Sequence, residues 1–293
     1  PRHGVGAGGG QQASRRAGEF VLAPGVFEML SARIADEMGF KALYMTGYGI
    51  SVSHLGLADA GLTTYTDMVG RARVIAQGTR TPLIADADTG YGGLLNVRHT
   101  VRGYEDAGVQ GIQMEDQEMP KKCGHTPGKR VIALADMLRK IDVAVNARRS
   151  DSTLIIARTD CRAAQGLDEA IKRGKAFAKA GADVVFIEAP ESEDEFRRIG
   201  EEIDARLFAN MVPAGGKSPM LPSETLKRYG FDIAIYPGAL FAAACASMKA
   251  VCTYLREHGS LIGADIPMFD INETHRLAGF PEIWAFEKKY AEV

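Results

Sequence analysis

Six short apolar or β-branched runs in this chain end in groups that can do chemistry. The endings are Thr46-Gly47-Tyr48, Asp86-Ala87-Asp88, Glu115-Asp116, Arg158-Thr159-Asp160, Glu188 and Asn210. Polar side chains are costly in a packed interior but collect where several strands end together at one face. Asp86, Asp88 and Glu115 supply hard oxygen donors on neighbouring runs. They suit Mg²⁺, with Mn²⁺ as a substitute, held directly or through water with positions left for a substrate's oxygens. The competing readings are that Asp86 and Asp88 cap the following helix, and that Glu115 and Asp116 pair with surface lysines. Arg158 suits a bidentate grip on a carboxylate, with Glu188 and Asn210 on the next two runs orienting a second polar group. An ion pair between Arg158 and Glu188 is the structural alternative, and the two readings can coexist.

Between Gln117 and Ile132 the sequence MPKKCGHTPGKR is too long and too rich in Pro and Gly for the two to six residues usual after a barrel strand, and it reads as a lid. Lys121, Lys122, Cys123, Gly124, His125 and Lys129 bring cations, a thiol and an imidazole into that one loop. This pattern is expected to lower the thiol's pKa and make it a proton donor or nucleophile. A structural cysteine usually sits among apolar neighbours, and Cys123 has none beside it. Cys161, Cys245 and Cys252 read as core or inert, and His54, His99, His258 and His275 as surface or packing residues.

The elements that must position these groups alternate short strands with amphipathic, helix-length segments. The strand runs are Phe20–Ala23, Ala42–Thr46, Leu83–Asp86, Gly111–Glu115, Leu154–Arg158, Val184–Glu188, Leu207–Asn210 and Ile233–Tyr236. Eight such units predict an α/β fold of the (β/α)₈ barrel type, whose usual size of about 250 residues fits one domain over 19–293 after a flexible segment 1–18. In the helix holding Ala170, Gly174, Phe177 and Ala178, the charges Lys172, Arg173, Lys175 and Lys179 read as a solvated face. Pro281 is placed to start a terminal helix, and the aromatic tail from Phe269 to Tyr290 reads as a docking segment. A net charge of -2 offers no basic field for nucleic acid or an anionic membrane. The longest apolar stretch, Ala239 to Ala246, is too short to span a bilayer. Four cysteines without a signal-like segment predict a reduced, cytoplasmic protein.

The strand endings, the run DADTGYG and the lid sequence KKCGHTPGK resemble the isocitrate lyase and phosphoenolpyruvate mutase superfamily over nearly the whole chain from about Phe20. Within it, the resemblance is to the group of 2-methylisocitrate lyases, 2,3-dimethylmalate lyases and carboxyphosphonoenolpyruvate phosphonomutases. It implies Mg²⁺ held by Asp86, Asp88 and Glu115, and substrate held by Thr46, Gly47, Tyr48, Asp59, Gly124, His125, Arg158, Glu188 and Asn210. Cys123 matches the acid that protonates the enediolate when a C–C bond breaks, with Lys121 and His125 beside it. Tyr44 or a metal-bound group would take the substrate's hydroxyl proton. The implied partner is a small carboxylate, and the implied assembly a homotetramer whose last helix is exchanged between subunits. The implied activity is Mg²⁺-dependent C–C lysis of a small 2-hydroxy dicarboxylate or tricarboxylate, of 2-methylisocitrate or 2,3-dimethylmalate type, releasing a 2-oxo acid such as pyruvate. The alternative is a phosphonomutase forming a C–P bond. One departure stands out. After Asn210-Met211-Val212, many relatives place a glutamate where this chain has Pro213-Ala214-Gly215-Gly216.

Overall fold

Eight parallel strands close on themselves in chain order in the computed structural model, which describes residues 19–213 and 215–291. They are β1 (Val21–Val26), β2 (Leu43–Met45), β3 (Leu83–Asp86), β4 (Gly111–Glu115), β5 (Leu154–Thr159), β6 (Val184–Ile187), β7 (Arg206–Asn210) and β8 (Ile233–Tyr236). The principal helices between and after them are α1 (Met29–Glu37), α2 (Tyr65–Gly78), α3 (Leu94–Ala107), α4 (Leu134–Ala147), α5 (Leu167–Lys179), α6 (Glu193–Glu202), α7 (Ser223–Arg228) and α8 (Ala239–His258). Two more, α9 (Ile271–Ala278) and α10 (Phe280–Tyr290), complete the described chain. The expected flexible segment 1–18 lies outside the described residues.

The (β/α)₈ barrel anticipated from the sequence is therefore present, with small boundary differences. β1 runs through Pro24 to Val26, with Pro24 opposite Tyr236 of β8 and pairing to β2 beginning only after it, at Gly25. β2 stops before Thr46, whose hydroxyl instead accepts the Gly49 N–H at 3.3 Å and caps a short helical turn, Gly47–Ile50.

Strands buried on both faces read as continuous apolar runs, and side chains two residues apart share a face. Tyr44, Ile84, Ile156, Phe186 and Phe208 pack together as the plug of the barrel. Two residues further along the same strands come Thr46, Asp86, Arg158, Glu188 and Asn210, all facing one cavity. The pleat thus lifts one polar group per strand onto the apolar plug, which gives the site a dry, rigid floor. Arg158 shows the join directly, with its guanidinium carbon 5.2 Å from the centre of the Phe186 ring.

The solvated face expected of α5 holds for Lys172, Lys175 and Lys179 but not for Arg173, which is buried. Its guanidinium donates to Asp116 at 2.9 Å and to the Ile132 carbonyl at 3.0 Å. The cause is the buried Asp116 carboxylate under the lid, which requires a partner.

Pro281 does stand at the start of α10, as the sequence suggested. Helix α9 is tied to α1 by Arg33 donating to the Leu277 carbonyl at 2.7 Å and by Arg276 pairing with Glu37 at 2.7 Å. Helix α10 leaves Ile283, Trp284 and Phe286 each more than half exposed. No described helix is long and apolar enough to cross a membrane.

Candidate active site

The C-terminal mouth of the barrel holds a cavity of about 380 Å³. Tyr44, Thr46, Tyr48, Asp59, Asp86, Glu115, Lys121, Cys123, Gly124, His125, Arg158, Glu188 and Asn210 all line it. Of the residues singled out by sequence, Gly47 and Asp88 stand just behind this lining. Gly47 is packed so closely that a Cβ there would lie 2.7 Å from Asp86 Oδ2. Asp88 is reached through Lys121, whose ammonium lies 2.5 Å from both Asp88 Oδ1 and Asp59 Oδ1.

Asp86, Asp88 and Glu115 are buried carboxylates with little water to stabilise their charge. Burial raises the pKa of each, and the neighbouring cations offset this only in part. Asp88 is pushed up to about 6, against Lys121 and with Asp86 adding to the rise. Burial likewise holds Asp86 above its usual range despite Lys121, and Glu115 well above it despite Arg158. Burial by itself would lower Lys121, but Asp88 and Asp59 keep it well above the ordinary lysine range.

The sequence left open whether Asp86, Asp88 and Glu115 would hold a metal directly or through water, and their placement bears on that choice. Among the described residues, no three His, Cys, Asp or Glu side chains converge on a common point. Asp88 turns onto Lys121, and Glu115 accepts from Gln117 at 2.8 Å and faces Arg158 at 3.3 Å. The donor set still fits a hard divalent cation, because it is all oxygen, buried and short of positive charge. The arrangement suits binding carried largely through water. The helix-capping alternative fails, since the N-cap of α3 is Gly93, whose N–H is taken by Asn96.

Arg158 takes up both sequence readings. Its Nε and Nη2 donate to Asp160 at 2.8 and 3.0 Å, and Nε also lies 3.6 Å from Glu188. Burial alone would raise Glu188, yet Arg158 and His125 beside it hold its carboxyl well below the usual range. His125 Nε2 is 3.0 Å from Glu188 Oε1, while its Nδ1 accepts the Lys217 backbone N–H at 3.1 Å. That acceptor role assigns the ring proton of a neutral His125 to Nε2. Asn210 donates to both Glu188 oxygens, at 3.2 and 3.3 Å, and its own Oδ1 has no partner among the described residues.

The Cys123 thiol differs from expectation: its pKa is raised rather than lowered, because partial burial strips water from it. The nearby cations do not reverse this. Lys121 is engaged by Asp59 and Asp88, and His125 Nε2 by Glu188, so neither group is directed at the sulfur. Tyr44 is also other than a base would be. Its hydroxyl donates to Gln113 Oε1 at 2.6 Å, and burial, with Asp86 adding, pushes its pKa well up.

Several positioning residues escaped the sequence reading. Gln113, fully buried, bridges Tyr44 and Asp86, donating to Asp86 Oδ1 at 3.3 Å. Gln117 holds the lid by its backbone, donating to the Lys122 carbonyl at 2.7 Å and accepting the Lys122 N–H at 3.0 Å. The inward parity of Gln113 with Glu115 was the available signal. Cys245, expected to be inert, lies on the cavity wall with Val212, Pro213, Pro237 and Phe241. Thus the segment that departs from its relatives borders the cavity, although Ala214 itself lies outside the described residues.

The phosphoenolpyruvate phosphomutase family profile matches residues 12–256. The chain belongs to that family. Members similar to this phosphomutase-family chain include named lyases. The 2,3-dimethylmalate lyase of Eubacterium barkeri is 45% identical over 273 residues, covering 93% of this chain and 94% of its own. The 2-methylisocitrate lyase of Aeropyrum pernix is 40% identical over 275 residues, covering 94% and 87% respectively. A solved oxaloacetate acetylhydrolase in complex with the inhibitor 3,3-difluorooxalacetate matches with a TM-score of 0.88 at 35% identity, covering 94% of this chain and 93% of that one.

Proposed function

We propose that this protein is a carbon–carbon lyase that cleaves a small 2-hydroxy dicarboxylate or tricarboxylate of the 2,3-dimethylmalate or 2-methylisocitrate type and releases a 2-oxo acid such as pyruvate. The observation that carries this is Cys123, a thiol kept protonated by burial and held by the lid over the cavity that Arg158 and the carboxylates share. A neutral thiol beside a bound anion is a general acid ready to protonate carbon.

Arg158, backed by the Phe186 ring, binds a substrate carboxylate, and Asn210 Oδ1 receives a substrate hydroxyl or its proton-bearing neighbour. Thr46, Gly47, Tyr48 and Gly124 shape the surrounding wall, and His125 fixes Glu188 beneath the lid. In cleavage, the substrate's 2-hydroxyl gives up its proton to the Asp59 carboxylate next to Lys121, and its C–O bond becomes a carbonyl. The electrons of the broken C–C bond stay on the departing fragment as an enediolate, whose carbon takes the proton of Cys123. Tyr44 serves as a fixed donor that orients Gln113. Asp86, Asp88 and Glu115 are the residues that would hold Mg²⁺, or Mn²⁺ in its place, and the bound cation would stabilise negative charge on the 2-oxo acid's oxygens. The apolar wall of Val212, Pro213, Pro237 and Phe241 favours an alkyl substituent on the departing half.

The same reading takes residues 19–293 as one catalytic unit in the cytoplasm, which four free thiols support. It also takes the assembly as a homotetramer with α10 exchanged between subunits, which the exposed face of Ile283, Trp284 and Phe286 supports. Incubating the protein and Mg²⁺ with 2-hydroxy diacids, a 2-hydroxy triacid and phosphonates, with ¹³C and ³¹P NMR of the products, tests the activity. Release of a 2-oxo acid is expected. A new C–P bond would assign the phosphonomutase activity, and turnover of none would sink both.

A further inference from the structure

Behind Arg158, beneath the lid, lies a buried ion network whose other members the proposed chemistry does not use. Lys129, at the far end of the lid, has a side chain only 1% exposed. Its ammonium makes two contacts: the Gly124 carbonyl, and Asp160 Oδ1 at 2.8 Å. Asp160 is fully buried and gives its two oxygens to Arg158 in a fork. Its backbone N–H donates to Asp116 at 3.0 Å, and Asp116 is anchored in turn by Thr159 at 2.6 Å and by Arg173 of α5. Burial alone would raise Asp160, yet Arg158 and Lys129 hold it below the usual carboxylate range. The network is therefore closely paired and rooted in the barrel wall.

Two contacts at one nitrogen place Lys129 between the two halves of the site. On one side, Asp160 fixes the plane of the Arg158 guanidinium. On the other, Gly124 is the peptide between Cys123 and His125, and it sits so close over Arg158 that a Cβ there would be 2.5 Å from Nη2. Gln117 holds the lid at Lys122, on the other side of Cys123. A backbone pinned at residues 122 and 124 leaves the intervening Cys123 little freedom.

We propose that Lys129 is a positioning residue that locks the closed lid to the Asp160–Arg158 pair, so that the Cys123 thiol is aligned only when the substrate's carboxylate site is correctly formed. This rests on the lyase reading for its kinetic consequence but not for its structural one. A misplacement of about 1 Å at a reacting group can cost on the order of 10²-fold in rate. Lys129→Met should thus lower kcat by about tenfold to a hundredfold while KM changes little, since Arg158 keeps Asp160 as its partner. A merely structural lysine would not produce that split.

The second readout needs no turnover. Oxalate presents the carboxylate and adjacent oxygen of a 2-oxo acid, and with Mg²⁺ it should close the lid. Alkylation of Cys123 by iodoacetamide, followed by peptide mass spectrometry so that Cys161, Cys245 and Cys252 are read separately, should be slowed by oxalate and Mg²⁺ in the wild type. It should be slowed far less in Lys129→Met. If that variant does not fold by circular dichroism, Lys129→Gln carries the test, because its amide keeps a polar donor in the buried site without the ammonium charge. Unchanged kcat with unchanged protection of Cys123 in a folded variant overturns the proposal, as does a rise in KM with full protection. If the wild type cleaves no 2-hydroxy acid, the lyase reading falls, and the alkylation comparison alone decides the role of Lys129.

Discussion

Gly124 of the lid lies directly over Arg158 of β5, close enough that a methyl group on Gly124 would fall 2.5 Å from the guanidinium Nη2 and 2.7 Å from the Glu188 carboxyl carbon. Arg158 is pinned by Asp160, so it has little room to yield. Gly124→Ala should therefore keep the lid from seating, with a loss of kcat/KM on the order of 10²-fold. The melting temperature should stay near that of the wild type, because a loop that cannot close does not strain the barrel. Steady-state kinetics beside calorimetry check this, and wild-type kcat/KM would show that the lid seats elsewhere.

The carboxylates at the mouth link metal binding to pH. Burial raises Asp88 to about 6 in the folded protein, while an unfolded aspartate titrates near 3.9. Its contribution to stability is fully present below about pH 4 and is lost as pH rises through about 6. Mg²⁺ would take over the role of the missing proton. It should raise the melting temperature more at pH 8 than at pH 5, as read by differential scanning calorimetry on protein stripped with chelator. Equal increments at the two pH values would place the metal away from these carboxylates.

Tyr44 donates to Gln113 and is held in its protonated form, so removing its hydroxyl should cost structure more than chemistry. Tyr44→Phe leaves a buried acceptor on Gln113 unsatisfied, at about 1–3 kcal/mol of stability. Its kcat should fall less than about tenfold, below the usual contribution of a general base. A loss of a thousandfold with the fold intact would restore Tyr44 as the base.

What could be read from the sequence follows from what each signal depends on. The eight strands were legible because buried parallel strands are apolar on both faces, and Asp86, Arg158, Glu188 and Asn210 were legible because a polar group breaks that run. Gln113 was missed because it sits inside β4, where only its two-residue spacing from Glu115 marks it as inward-facing. Arg173 was misread because the helical period placed it with the lysines of α5, and only Asp116, 57 residues earlier, draws it inward. Cys123 was located correctly but given the wrong pKa shift, because charges adjacent in sequence point at other partners in space. Lys129 was noted as one more lid cation, and its partner Asp160 is 31 residues away on another strand.

Helix α10 exposes Ile283, Trp284 and Phe286, an apolar face that a neighbouring subunit would cover in the proposed tetramer. Truncation before Phe269 should yield smaller and less stable species by multi-angle light scattering. An unchanged mass would remove the tail from the assembly.

In the proposed lyase, Cys123 delivers the proton that completes C–C cleavage. Serine is of similar size but is a far weaker acid, so Cys123→Ser tests the chemistry with little change of shape. With substrate saturating, its turnover should fall by a factor on the order of 10² to 10⁴, the usual contribution of a positioned general acid. KM should change much less, because Arg158 still holds the carboxylate. Turnover close to wild type, measured on a variant whose lid still protects residue 123 in the presence of oxalate and Mg²⁺, would take Cys123 out of the mechanism and favour phosphoryl chemistry at this site.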